Sequence, residues 1–561
     1  MNFNWLLDGS IVGLYLVATM AAGIMVRKYV GNVEQFLVAG REMNVFLGIA
    51  SLAATEFGIV TCMYTAQGGY NSGFAGSTPG ILQCLAMLII GITGFCVKPL
   101  RDSGVMTIPE LFEQRFGTFI RWLSGVVIVL GGLLNMGVFL RIGGEFLVLS
   151  TGMNEKYLVI TMTVLLIMVA VYTILGGMLS VLVTDFLQFI VMSIGLLAVT
   201  YFFIGSFGWG KIVDTVEKTH GEGGFNPFLS LGWEAVLASA LVQTAATLTW
   251  QTTIARLMAA KDTWTGQKVY IGTSFFFVCR FLIPGIWGIV ALMVIAPTTI
   301  NSLPQPLRAS VSISGIDKDT SVADSTKQAL NLSQYTPEQL KSMTLDKLPE
   351  DVQKNVNIKD LSGSVKSAVS LNAMPVILGK LVPIGLIGIL IAAMLAADMS
   401  TDSSYMITWA AVIYNDILGP FRKKKSSDSM GLLINRFIVM VIGLFLFFYG
   451  LFYKLEGSLW DYLQTTGTVY LSSMSVLLIA CCYWKNANSW GATASIIIGA
   501  AFPIGYLYLE QVWGAAALKD LGFTQDRSKI FAFVLSAVAM VVFSLLKPNA
   551  ADTATKPTAA A

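Results

Sequence analysis

The chain has 561 residues, of which 55% are hydrophobic and only 12% charged, against roughly 25% charged in ordinary soluble domains. A chain this apolar cannot cover its own surface with polar groups, so the composition excludes a water-soluble protein and points to the bilayer as solvent. The formal net charge of +3 is too small to indicate a nucleic-acid partner.

Apolar windows of about 20 residues, the length a helix needs to cross hydrocarbon, recur along the sequence as about thirteen spans. In chain order they cover 8–28, 45–69, 77–97, 120–149, 158–176, 178–206, 232–259, 266–296, 374–417, 431–453, 459–484, 489–511 and 528–546. The first ends in Arg27 and Lys28 instead of starting from basic residues, so it reads as an uncleaved helix and not as a signal peptide. The ninth is too long for one straight span, and Pro375 and Pro383 interrupt it, which predicts a bent or interfacial approach. The six cysteines lie in or beside apolar runs without disulfide or metal-ligand spacing and read as small buried hydrophobes.

Basic residues of the short loops mark the cytoplasmic side: Arg27, Lys28, Arg41, Lys98, Arg101, Arg115, Arg256, Lys261, 422–425, Lys485 and Lys547. The opposite loop from Asn71 to Gly76 has none. The expected arrangement is a multi-pass protein of the plasma (inner) membrane, with the N-terminus extracytoplasmic and the C-terminus cytoplasmic. The polar stretch 297–372 then lies outside, with helix-like pieces at Thr336 to Met343 and Leu345 to Val352. It reads either as a small external cap or as a solvated insertion. The Ala-, Thr- and Pro-rich segment 547–561 reads as a disordered cytoplasmic tail.

Three polar features stand inside the apolar windows. Glu56 falls in Gly48-Ile-Ala-Ser-Leu-Ala-Ala-Thr-Glu-Phe-Gly58, where an ionised carboxylate costs at least ~2.5–3.5 kcal/mol. Gly58 beside Thr55 and Thr61 suggests a helix break, whose freed carbonyls are suited to a cation. The alternative is a protonated Glu56 hydrogen-bonded to a neighbouring helix. Asp185 lies about two turns inside the sixth span; it reads equally as part of a cation site or proton relay, or as a local cap. In Ala396-Ala-Asp-Met-Ser-Thr-Asp-Ser-Ser404, six of the seven residues from Asp398 carry a hydroxyl or carboxylate. At 100° per residue Ala397, Ser400, Thr401 and Ser404 share one face. Hydroxyls are hard, neutral donors suited to Na⁺, although small hydroxyl residues also mediate helix packing in membranes.

Together with these features, five motifs resemble the solute:sodium symporter family, which includes bacterial proline, sugar and sialic acid symporters. They are Glu34-Gln-Phe-Leu-Val-Ala-Gly-Arg41; Thr107-Ile-Pro-Glu-Leu-Phe-Glu-Gln-Arg-Phe-Gly117; Tyr172-Thr-x-x-Gly-Gly followed by Thr184-Asp185-x-x-Gln188; Gln251 with Arg256; and Ala397-x-x-Ser-Thr401. The resemblance implies an all-α integral membrane fold with an inverted five-helix repeat (LeuT-like) core and broken helices. It divides the chain into a first helix and cytoplasmic loop (1–44), a first repeat (45–206), the start of a second (207–296), the polar insertion (297–372), the rest of the second repeat (373–484), two further helices (485–546) and the tail (547–561).

The family's principal sodium site maps onto carbonyls of Ala54, Phe57 and Ala397 and hydroxyls of Ser400 and Thr401. A second sodium site, present in some members, maps onto Asp185, Ser400, Ser403 and Ser404. Candidates for solute binding are Glu56, Thr61, Gln83, Arg141, Gln243, Trp250 and Gln464. Where proline-type members carry Asp this chain has Glu56, and where many carry Asp-Gln it has Trp250-Gln251, which leaves the solute open. Arg141 suits a carboxylate by its bidentate fork, yet Glu145 at i+4 is an equally good partner.

The expected function is import of a small organic solute, carboxylate-bearing or polyhydroxylated, with Na⁺ as the coupling ion. Proton coupling through Glu56 or Asp185 and a non-transporting solute sensor are the alternatives. An enzyme is not expected, because the single histidine, His220, lies in an external loop and no nucleophile or metal-ligand motif is present.

Overall fold

The computed structural model describes residues 1–294, 363–422, 427–453, 455 and 458–547, with the side chains of 363–368, 515 and 516 excepted, and it is built of α-helices. Most of 297–372, including both helices expected there, and the tail beyond 547 lie outside the described residues. The principal helices are α1 (Leu7–Val26), α2 (Val45–Glu56), α3 (Ile59–Ser72), α4 (Thr78–Thr93), α5 (Thr118–Met136), α6 (Phe139–Thr151) and α7 (Leu158–Phe207). They continue with α8 (Trp233–Thr249), α9 (Gln251–Ala259), α10 (Thr263–Val294), α11 (Gly363–Leu381), α12 (Leu386–Val412), α13 (Asp428–Phe452), α14 (Leu459–Tyr483), α15 (Ser489–Asp520) and α16 (Gln525–Leu546).

Among the described residues, ten helical stretches are long and apolar enough to cross a membrane. Their burial separates centre from periphery. The apolar window of the stretch containing α12 is 89% buried by protein, whereas that containing α1 is 17% buried and leaves most of its surface to lipid. A polar segment such as Asp398–Ser404 is tolerable at membrane depth only when protein covers it, and α12 is covered by α1, α2, α7, α9 and α13.

Four interruptions shape the bundle. Between α2 and α3, Phe57 and Gly58 leave helical geometry. Between α8 and α9, Trp250 is extended, at φ −66°, ψ 121°. Helix α7 is 50 residues long, more than twice a span of about 20, and is kinked at Gly177, between the expected spans 158–176 and 178–206. Gly177 has φ +53°, and a Cβ there would lie 2.5 Å from the Phe36 carbonyl oxygen, so both conformation and space require glycine.

The fourth interruption, at 382–385, divides the over-long ninth window into α11 and α12. The new N-terminus of α12 is met by the fully buried Asp8 of α1. Its Oδ1 accepts the Gly385 and Gly388 N–H groups at 2.8 and 3.0 Å, and Oδ2 accepts the Asn4 N–H at 2.7 Å. Otherwise orphaned amides and the positive end of the helix dipole thereby offset the cost of a buried carboxylate.

Candidate functional site

The α2–α3 break lies directly against α12. Thr401 Oγ1 donates to the Thr55 carbonyl at 2.8 Å and to the Ala397 carbonyl, one turn back on its own helix, at 2.9 Å. Gly58 makes this approach possible: a Cβ there would sit 2.5 Å from Thr401 Oγ1. The Ala54 carbonyl accepts the Phe57 N–H at 3.3 Å in the last turn before the break. Backbone and hydroxyl oxygens of two interrupted segments thus meet in a buried setting without a net protein charge.

One turn along α12, a second polar cluster is organised around Asp185 of α7. Its carboxylate accepts from Ser51 Oγ, from Ser400 Oγ at 2.5 Å and from the Arg256 guanidinium at 2.9 Å. Arg256, from α9, also donates to Thr55 Oγ1 at 2.6 Å, to Ser404 Oγ at 2.5 Å and to Ser51 Oγ at 3.1 Å. Arg256 and Asp185 both have 0% side-chain exposure. The set Asp185, Ser400 and Ser404 is therefore brought together around a guanidinium. Ser403 is directed elsewhere, donating to the Ser400 carbonyl at 3.2 Å.

A cavity opens beside the break and is lined by Glu56, Thr61, Gln83, Gln243, Trp250 and Gln464, together with Arg280, Tyr64, Trp460, Asn135, Asp398 and Tyr405. Glu56 accepts from Arg280 at 2.7 Å and from Thr252 Oγ1 at 3.0 Å. Arg280, from α10, also donates to Tyr64 Oη. Tyr64 packs on Trp460 at 4.8 Å between ring centroids. Gln464 is oriented by donation to Ser239 Oγ and by acceptance from the buried Lys529, both at 3.1 Å. Trp250 belongs to the wall because the α8–α9 interruption carries it there.

Six of the seven solute candidates line this cavity and Arg141 does not. Arg141 Nε pairs with Glu145 at 2.8 Å, and its Nη1 donates to the Gly450 carbonyl of α13 at 3.1 Å. The cavity arginine is Arg280. Its sequence signal was a lone cation in the middle of the 266–296 window, opposite in charge to the lone Glu56 of the second span.

The model of the "Sodium:solute symporter family" matches residues 36–312 and 359–499. Sodium/glucose cotransporter 1 of Mus musculus is 23% identical over 565 residues, covering 96% of this chain and 78% of that protein. Sodium/glucose cotransporter 4 of Danio rerio is 24% identical, covering 98% and 79%. The solved structure of a Na⁺-coupled sialic acid symporter, in a substrate-bound outward-open state, superposes with a TM-score of 0.71 at 16% identity, over 97% of this chain and 98% of that one. The shared fold is an all-α, multi-span membrane fold resembling inverted-repeat transporters.

Proposed function

Because the chain belongs to the sodium:solute symporter family, a family of transporters and not of enzymes, we propose a specific ion site, solute pocket and coupling step for it. As a multi-pass membrane protein of this family it couples sodium to an organic solute by alternating access. The proposed sodium ligands are the carbonyls of Ala54, Phe57 and Ala397 and the hydroxyls of Ser400 and Thr401. The observation that carries this assignment is the Thr401 hydroxyl, 2.8 Å from the Thr55 carbonyl across the Gly58 break. Neutral, hard oxygens from two separately moving segments suit an ion that must bind, tie the segments together and leave.

A second sodium ion at Asp185, Ser400, Ser403 and Ser404 is proposed only for a state in which Arg256 withdraws, since its guanidinium is the cation at that cluster. One sodium ion per cycle is the proposed ratio. Glu56 and Asp185 each face an arginine, which favours sodium over protons as the coupling ion.

The proposed pocket uses Glu56, Thr61, Gln83, Gln243, Trp250 and Gln464, with Arg280 in the place first given to Arg141. Its guanidinium and amide groups suit a small carboxylate-bearing or polyhydroxylated solute. The proposed architecture has thirteen spans, with α2–α3 and α8–α9 as the broken first helices of the two repeats (45–206, and 207–296 with 373–484). The N-terminus is placed outside and the C-terminus in the cytoplasm.

In the proposed cycle sodium enters from outside and bridges α2–α3 to α12, completing the solute pocket. Closure around the solute then breaks the bridge on the inner side. The membrane potential, worth about 2.3 kcal/mol per charge per 100 mV, drives the ion inward.

Reconstitution tests this function. Proteoliposomes offered amino acids, sugars, sialic acids and monocarboxylates should accumulate a solute under an inward sodium gradient at equal pH. Accumulation under a proton gradient alone, without sodium, would contradict it.

A further inference from the structure

Among the described residues, Asp398 is the one carboxylate in the cavity wall with no hydrogen-bond or ion-pair partner. Its side chain is 2% exposed, it lines the cavity, and its Oδ2 makes no hydrogen bond. The cavity's other acid, Glu56, is matched by Arg280 and Thr252. Arg280, Arg256 and Arg141 are each paired with a different carboxylate. On the facing helix α6 stands Gly143, where a Cβ would lie 3.0 and 3.1 Å from the two carboxylate oxygens. The Asp398 carboxylate thus packs directly on α6, and glycine leaves the room that it occupies.

An ionised, uncompensated carboxylate at membrane depth is costly unless a cation reaches it. The surroundings indicate which kind. A sodium ion needs several oxygens around it, and no hydroxyl or amide bonds to Asp398 among the described residues. The cavity that it shares also carries aromatic rings. Tyr405, two turns along α12, packs edge-on against Phe139 at 5.3 Å and against Trp250 at 5.7 Å, and all three rings line the cavity. A carboxylate and aromatic rings within one solute cavity are groups that attract an organic ammonium.

We propose that Asp398 anchors an ammonium group of the transported solute, in the cavity that it shares with Phe139, Trp250 and Tyr405. The solute is then an amine, and its remaining polar groups meet the Arg280 and amide part of the wall. This inference rests on the solute pocket proposed above and narrows its substrate class.

The test uses purified full-length protein and matched probes that differ in the ammonium group: L-alanine and L-lactate, D-glucosamine and D-glucose, choline and 3,3-dimethylbutanol. Binding is followed by thermal shift and tryptophan fluorescence in sodium chloride and in potassium chloride. In sodium, at least one ammonium member should bind about tenfold or more tightly than its counterpart, and Asp398→Asn should remove that preference without moving half-saturation for sodium.

Sodium-dependent binding of the lactate, glucose or dimethylbutanol probes as tight as that of their ammonium counterparts would leave the pocket standing and overturn the inference. So would an Asp398→Asn variant that weakens sodium binding but keeps the ammonium preference, because the carboxylate would then serve an ion. No sodium-dependent binding of any probe would count against the pocket and the inference together. Should Asp398→Asn fail to fold, the wild-type pairs decide: no preference in any pair overturns the assignment.

Discussion

Thr401 Oγ1 lies 2.8 Å from the carbonyl oxygen of Thr55, so a hydroxyl of α12 closes the gap in the interrupted second span. The same hydroxyl bonds the Ala397 carbonyl at 2.9 Å. Three oxygens from two segments are thereby fixed near one another before any ion arrives. A cation that turns their lone pairs toward itself would lock the segments together, and its departure would free them.

The glycine at the break is the first point of attack. Gly58→Ala places a Cβ 2.5 Å from Thr401 Oγ1 and 3.2 Å from Thr401 Cβ, and overpacking of this kind costs about 1–3 kcal/mol. The variant should remain folded but need about tenfold or more sodium for half-maximal stabilisation, read from thermal melts across a sodium titration.

The Arg256–Asp185 pair should behave as a unit. Removing one partner of a fully buried ion pair leaves the other charge uncompensated and costs about 3–5 kcal/mol. Asp185→Asn and Arg256→Gln should each lower thermal stability strongly, and the double variant should lose less than the sum. Reversal potentials should give one sodium per solute in the unaltered protein.

Arg280 and Arg141 should separate cleanly. Arg280 bridges Glu56 and Tyr64, and a lysine ammonium lacks the planar fork that reaches both. Arg280→Lys should weaken solute uptake about tenfold or more. Arg141→Lys, with its partner Glu145 in the same helix, should leave the concentration dependence of uptake nearly unchanged.

Asp8 should matter for stability alone. Asp8→Ala strands the amides of Gly385 and Gly388, and unsatisfied buried groups cost about 1–3 kcal/mol. The melt should fall while the sodium titration midpoint stays in place.

These residues also show what a sequence discloses. Ser400, Thr401, Glu56 and Asp185 were legible because hydroxyls and carboxylates are out of place in apolar windows, whatever their partners. The breaks at Gly58 and in the 374–417 window were legible from glycine, proline and length. Partners were harder. Arg256 was visible as a motif residue, but its bonds to Asp185, Ser404 and Thr55 join α9 to α7, α12 and α2, and no local spacing encodes such contacts. Arg141 and Arg280 are both lone mid-span arginines, and only the rotation and placement of α6 and α10 decide which one meets the cavity. The hydrophobic pattern singled out no lipid-facing side of α12 because nearly every face of that helix is buried.

The most direct measurement is ²²Na⁺ binding to the purified protein, unaltered and as Thr401→Ala. The unaltered protein should bind sodium saturably, and Thr401→Ala should weaken that binding about tenfold or more at an unchanged fold. Equal sodium affinity in the two proteins would contradict a sodium site between the second-span break and α12.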